Sequence, residues 1–364
     1  MNNRPHLLVC ISGHGNGHVA QVAPVLNALQ KLLPDIQLTV RTSVPLAYLR
    51  SRIAPEFRYI AQSTDFGMVM QSALATEAEA SMRAYVEFHA DWYAKVKTES
   101  ALIAEIVPDL VLSDVAYLPI AGAAQLDIPA IAMCSLNWAD IFRHYCESMA
   151  GSDTILREME QAYLQARMFL RLQPSMPMPW LGRQRAVGPV ADPGVNRSSE
   201  IKQKSGISDN MRLVLVSMGG IATRLPIEVW PRIANVVWLM QSDWLADCNR
   251  SDMLAFELLN MHFSDVLASC DALLTKPGYG AFTEAACSGV PILYVERDDW
   301  PEQPYLIAWL AQHGLCQRLA EAQVMNGDFE SELQHLLLQA KPAPAVPSGT
   351  AEVAEYIAGW LHQP

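Results

Sequence analysis

One feature constrains this chain more than any other: a rhythm of short apolar runs and amphipathic stretches begins, breaks, and begins again. His6 to Ile11 is a compact apolar run. A Gly/His-rich turn follows, and then Val19 to Leu33 reads as a helix, with Val22, Leu26, Leu29 and Leu33 on one face. Ile36 to Arg41 and Phe57 to Ala61 read as strands and Thr76 to Ile106 as mostly helical. Leu110 to Ser113 is a buried strand ending in Asp114; Ile120 to Gln125 is helical, and Ala130 to Cys134 is another strand. Unbroken apolar strands alternating with helices predict a parallel sheet covered on both faces.

Between Gln173 and Asn196 the rhythm stops. Pro174, Pro177, Pro179, Pro189 and Pro193, with Gly182, Gly188 and Gly194, mark a linker and domain boundary. The second rhythm runs through strands at Leu213–Ser217, Asn235–Met240, Ala272–Thr275 and Pro291–Val295. Its helices are Phe263–Ser269, Ala281–Ser288 and Tyr305–His313, and the stretch Ile221 to Asn235 is short for a helix of this fold. After the Pro-rich connection Lys341–Gly349, Ala351 to Leu361 reads as a last helix. At roughly 150 residues per domain, a chain of 364 suggests two. The expected fold is α/β: two Rossmann-like doubly wound domains facing a central cleft, with ligands beyond the carboxyl ends of the strands. The expected divisions are 1–185, a linker at 186–196, 197–345, and a C-terminal helix at 346–364 packing back on the first domain.

Composition narrows the partners. A hydrophobic fraction of 51% against 18% charged residues is that of a globular protein. With 26 Lys and Arg against 38 Asp and Glu, the net charge of −12 argues against nucleic-acid binding by bulk charge. An anionic ligand must then be held locally, by helix N-termini and a few placed cations. Cys10, Cys134, Cys146, Cys248, Cys270, Cys287 and Cys316 are scattered, with no C-x-x-C pair, so free thiols in a reducing cytoplasm are expected. Leu7 to Ile11 is too short for a signal-peptide core. Ala101 to Leu136 is cut by Glu105, Asp109, Asp114, Asp127 and three prolines, and no membrane insertion is expected.

Several stretches at strand ends can carry chemistry. Ser12-Gly13-His14-Gly15-Asn16-Gly17-His18 joins the first strand to its helix. Its glycines let the backbone approach a ligand, and its histidines can act as a general base near neutral pH. The alternative is a tight turn whose histidines merely cap the helix, but two histidines among three glycines exceed what a turn requires. Asp114, at a strand end, can orient an imidazole; alone it reads equally well as a helix cap or turn residue. Lys276-Pro277-Gly278-Tyr279-Gly280-Ala281-Phe282-Thr283-Glu284 is again strand, loop and helix start, an anion site suited to a diphosphate, with Glu284 placed to accept ribose hydroxyls. The alternative is an ordinary turn with a solvent-facing Glu284. The spacing matches neither a P-loop nor G-x-G-x-x-G. Met218-Gly219-Gly220 is a weaker phosphate-facing loop, and Arg297, Glu302 and Gln303 form a polar set in which Glu302 and Gln303 suit sugar hydroxyls. Asp298 and Asp299 fit a solvated loop better than a metal site. Ser135, Asn137 and Trp138 follow another strand end and can line an acceptor pocket, although Trp138 fits the core equally well. His89, His144, His262, His313 and His335 show no ligand-like pairing.

Taken together, Gly13-His14-Gly15-x-Gly17-His18, Ser113-Asp114 and Ser135-x-Asn137-Trp138 resemble the N-terminal domain of GT-B glycosyltransferases. Lys276 to Glu284, Gly289-Val290-Pro291 and Arg297-x-x-x-Pro301-Glu302-Gln303 resemble their donor-binding domain. From about Leu7 to Leu319 the chain is similar to the glycosyltransferase-like half of plant arabinokinases, without their kinase half. It is more distantly similar to the peptidoglycan N-acetylglucosaminyltransferase and to plant secondary-metabolite glucosyltransferases. The resemblance implies that His18 deprotonates the acceptor, that Asp114 pairs with it, and that Glu284 holds the donor ribose. It implies that Gly219, Gly220 and Gly278 to Gly280 surround the diphosphate and that Glu302 and Gln303 lie near the donor sugar. It also implies a nucleoside diphosphate sugar (a UDP-sugar in first place) and a hydroxyl acceptor as small-molecule partners, with no cofactor and no metal. The same fold leaves open an epimerase or hydrolase of nucleotide sugars, or a protein that binds them without turnover.

Overall fold

The computed structural model describes residues 4–220, 223–246, 248–297 and 299–362. The chain divides into two compact units. Unit 1 holds residues up to Gln71, Thr76–Val190 and the segment from Pro347; unit 2 holds Ser72–Ala75 and Ala191–Val346.

Unit 1 runs through β1 (His6–Ile11), α1 (Gly17–Leu32), β2 (Gln37–Thr42), α2 (Leu46–Arg52), β3 (Arg58–Ala61), α3 (Ala78–His89) and α4 (Trp92–Ile106). It continues with β4 (Leu110–Asp114), α5 (Leu118–Ala124), β5 (Ala130–Cys134), α6 (Trp138–Cys146), α7 (Ser152–Leu164), β6 (Met168–Leu172) and β7 (Gln184–Val187). The seven strands are parallel in the order β3-β2-β1-β4-β5-β6-β7. The central strands β1, β4 and β5 are buried along their whole length, which is why they read as continuous apolar runs.

Unit 2 contains α8 (Ser198–Ser205), β8 (Arg212–Ser217), β9 (Val236–Met240), α9 (Ser242–Leu245), β10 (Met253–Ala255), α10 (Phe263–Ala268) and β11 (Ala272–Thr275). There follow α11 (Tyr279–Cys287), β12 (Ile292–Val295), α12 (Gln303–His313), β13 (Cys316–Leu319), α13 (Glu321–Asn326) and α14 (Glu330–Leu338). Its six strands are parallel in the order β10-β9-β8-β11-β12-β13. The last helix, α15 (Ser348–Leu361), belongs to unit 1 and packs on α1. Among the described residues, no helix is long and apolar enough to cross a membrane.

Each sheet therefore has a switch point, where successive connections leave in opposite directions. In unit 1 it lies between β1 and β4, whose register pairs Ile11 with Asp114. In unit 2 it lies between β8 and β11, pairing Ser217 with Thr275. Ligands of doubly wound sheets bind at these points.

The structure departs from the sequence reading in identifiable places. β7 lies inside the stretch read as linker: Pro174, Pro177 and Pro179 precede it, Pro189 and Pro193 follow it, and Gln184-Arg185 is polar because β7 is an edge strand. The region Thr76–Ile106 is two helices, broken where Asp91 caps α4 by accepting from the Ala94 amide at 3.0 Å. Between β8 and β9 the described residues hold only a single 3-10 turn at Ile227–Val229. The short β10 and β13 were not expected; each is an edge strand of three or four residues, below the length at which periodicity is visible.

The core of unit 2 is centred on Trp230, Trp238 and Phe329, with ring centroids 5.1 to 6.0 Å apart. Phe329 is fully buried. Phe329→Ala is expected to cost about 3–5 kcal/mol in chemical denaturation, because the cavity it leaves is walled by two indoles. An unchanged midpoint would contradict this packing.

Candidate active site

At the unit 1 switch point the start of the helix after β1 meets the last residue of β4. Helix α1 starts at Gly17, so His18 sits in its first turn with its ring toward the end of β4. His18 Nδ1 lies 3.0 Å from Asp114 Oδ2, and both side chains are buried, Asp114 completely. Burial disfavours the charged form of each. For His18 the Asp114 carboxylate outweighs burial and raises its pKa well above the usual imidazole value, with Cys134 adding to the effect. For Asp114 burial prevails and the carboxyl titrates above its usual range, while His18 pulls it back. The buried Cys134 thiol is pushed up to about 11 by burial and by the Asp114 charge. One donor atom from each of His18, Asp114 and Cys134 lies within 4.8 Å of the others. His18 and Asp114 thus form a coupled buried pair, with the Cys134 thiol beside it.

The surroundings lock this pair in place. Gly15 has φ +84° and its amide donates to Gly13 O at 2.8 Å, closing the tight turn that carries His14. The Trp138 indole packs against His14 and His18, with centroids at 5.2 and 5.8 Å. Trp138 Nε1 donates to Asp65 Oδ2 at 2.7 Å. Gly67, with φ +65°, closes the other side: a Cβ there would lie 2.7 Å from the His14 ring and 2.8 Å from Trp138. Ser135 is tied to Gln21 through both its hydroxyl and its amide, at 3.3 and 3.2 Å. Asn137 caps α6, accepting from the Asp140 amide and donating to its carboxylate. Trp138 is thus fully buried in the wall behind the two imidazoles, and Asn137 is spent on its helix cap. Sequence reasoning missed Asp65 and Gly67. The one local cue is weak: Ser63-Thr64-Asp65-Phe66-Gly67 comes shortly after β3, in a connection with no periodicity.

At the unit 2 switch point, Gly219 turns with φ +81°, and a Cβ on it would lie 3.6 Å from Lys276 Cε. The half-buried Lys276 ammonium is lowered to about 7 by burial and then by Arg297, against an opposing pull from Glu302. Arg297 is buried with its guanidinium 3.9 Å above the Trp300 ring. Trp300 Nε1 donates to Glu302 Oε2 at 3.0 Å. Both ends of the Gln303 amide bind the Arg297 backbone, at 2.6 and 3.1 Å, so Gln303 clamps its own loop. Gly278 precedes α11, whose first residues are Tyr279 and Gly280. The Thr283 hydroxyl donates to Tyr279 O at 2.9 Å within the helix. Glu284 is only 3% exposed, which removes the reading of it as a solvent-facing residue. Asp299 is exposed; Asp298 lies outside the described residues. Of the remaining histidines, His89 packs against both Trp92 and Tyr117 and is bonded to Glu158 at 2.7 Å.

No protein-family model matches this chain. L-arabinokinase of Arabidopsis thaliana is 24% identical over 358 residues, 95% of this chain. The chain spans about a third of that enzyme's length. The fold is that of GT-B glycosyltransferases. A UDP-glucose:anthocyanidin 3-O-glucosyltransferase solved with UDP superposes with a TM-score of 0.62 at 15% identity, covering 99% of both chains. A protein assigned as a UDP-N-acetylglucosamine 2-epimerase from Listeria monocytogenes superposes at 0.55 and 14% identity, over 98% of this chain and 95% of its own.

The electrostatics of the pair are directly measurable. Because the Asp114 charge is what raises His18, Asp114→Asn is expected to lower the His18 pKa, by more than about one unit, in an NMR titration of labelled histidine. An unmoved His18 titration would show that the two side chains are not coupled.

Proposed function

We propose that this chain is a glycosyltransferase that moves a sugar from a nucleoside diphosphate sugar, a UDP-sugar in first place, to a hydroxyl acceptor. The observation that carries this reading is the buried His18–Asp114 pair, at 3.0 Å, at the switch point of a GT-B fold. Asp114 engages Nδ1, which leaves Nε2 to take the proton of an acceptor hydroxyl. The oxygen so activated attacks the anomeric carbon, the bond from that carbon to the diphosphate breaks, and the diphosphate leaves with the electron pair. Asp114 stabilises the imidazolium that forms.

Unit 2 is assigned the donor. Gly219, Gly220 and the Gly278–Gly280 turn line the diphosphate, and the N-terminus of α11 adds its dipole. Lys276 and Arg297 supply positive charge to the leaving group, so no metal is invoked for that role. Glu284 takes the ribose hydroxyls and Glu302 the sugar. The bound nucleotide of the anthocyanidin glucosyltransferase supports UDP as the first nucleotide to test. Unbridged cysteines throughout support a cytoplasmic setting.

The fold similarity to the 2-epimerase keeps a second reading in view: isomerisation or hydrolysis of a nucleotide sugar. Product analysis separates them. The transferase releases UDP only when an acceptor is present, whereas UDP or an isomer formed without acceptor assigns the second reading. His18→Ala is expected to lower transfer by about 10²–10⁴-fold while nucleotide binding persists; full turnover would overturn the base assignment. Transfer requires neutral His18, whose pKa is raised, so kcat/KM should rise with pH through a value above 6.5. A rate that falls across that range would contradict the mechanism.

A further inference from the structure

A third carboxylate faces the His18–Asp114 pair, and neither the sequence motifs nor the proposed mechanism uses it. Asp65 lies in the connection after β3 and is 93% buried by its 7% exposure. Its Oδ2 accepts the Trp138 Nε1–H at 2.7 Å, and its carboxylate also faces the Ser12 hydroxyl. Ser12 Oγ in turn accepts the His14 amide at 3.2 Å. The Asp65 backbone carbonyl accepts from Ser63 Oγ, which fixes the bend leading to Gly67. Asp65 is thus the joint by which this connection grips both the His14 loop and the start of α6. Its Oδ1 is buried without a hydrogen-bond partner, a costly state for a carboxylate kept only for packing.

We propose that Asp65 is a positioning residue of this centre: it holds the Trp138 indole against the His14 and His18 imidazoles and adds a second negative charge facing His18. This rests on the reading of His18 as the acceptor base. The groups around the two are few. His18 faces Asp114 from β4, Cys134 from β5, Asp65, and the His14 ring at 6.5 Å. Asp65 faces His18, Asp114, Cys10 of β1, Tyr85 of α3, Tyr117, which precedes α5, and Tyr163 of α7. The tyrosines and Cys10 are held neutral by burial, and Asp65 and Asp114 are the carboxylates that face His18. Burial raises Asp65 to about 6, while Trp138 and then His18 hold it down. It is therefore ionised over the range in which His18 loses its proton, and its charge makes that proton harder to lose.

Asp65→Asn separates charge from shape, because the amide oxygen still accepts from Trp138. In the ligand-free protein, labelled-histidine NMR is expected to show His18 titrating roughly one pH unit lower in this variant. The ascending limb of the transfer-rate profile should move with it. Trp138→Phe gives an independent reading: without the indole donor, the Asp65 carboxyl resonance should titrate above about 6. An Asp65→Asn protein with an unshifted His18 overturns the proposal. If that variant does not fold, an unshifted Asp65 carboxyl in Trp138→Phe does the same. Coupled titrations in a protein that transfers no sugar keep the Asp65–His18 linkage and refute the transferase reading instead.

Discussion

The parallel pairing of β1 with β4, which sets Ile11 opposite Asp114, is the constraint on which the candidate chemistry depends. Because α1 begins six residues past β1, that register brings His18 to the carboxylate at the end of β4. A one-residue slip would turn Asp114 to the opposite face of the sheet and leave a buried charge without its partner. The apolar runs that made the strands recognisable thus also fix the geometry of the polar pair. Unit 2 repeats the design with other residues: Ser217 opposite Thr275 brings the Gly219 turn to Lys276.

The two switch points are opposite in electrostatic character. The unit 1 centre holds two buried carboxylates and the buried His18 imidazole, with the His14 ring beside them, and suits proton transfer from a neutral hydroxyl. The unit 2 centre holds Lys276 and Arg297 beside a helix N-terminus and suits a polyanion. In a chain with a net charge of −12, this local concentration of cations is what an anionic ligand requires. The lowered Lys276 fits such a role, since a bound diphosphate would favour its charged form.

Much of this was legible in the sequence because central parallel strands are short, apolar and bounded by glycine turns. His18 and Asp114 were visible as polar residues standing immediately beyond such runs. What escaped detection did so for physical reasons. β7 is polar because it is an edge, and β10 has three residues. Gln303 and Asn137 have the composition of ligand-binding residues, yet their amides are consumed by a loop clamp and a helix cap, which depends on backbone geometry. Asp65 was hidden because the connection after β3 carries no periodicity, and only tertiary packing brings it to Trp138.

The central claim is that the unit 2 switch point holds a nucleoside diphosphate. Its most direct test is the thermal stability of the purified chain with UDP, GDP, dTDP, ADP and CMP, beside a Glu284→Gln variant. At about 100 times its dissociation constant a ligand adds roughly 2.7 kcal/mol of stability, a readily measured rise in Tm. The account predicts such a rise with one diphosphate family, UDP first, and a weaker one in the variant. No rise with any nucleotide would contradict the donor site and the transferase reading built on it.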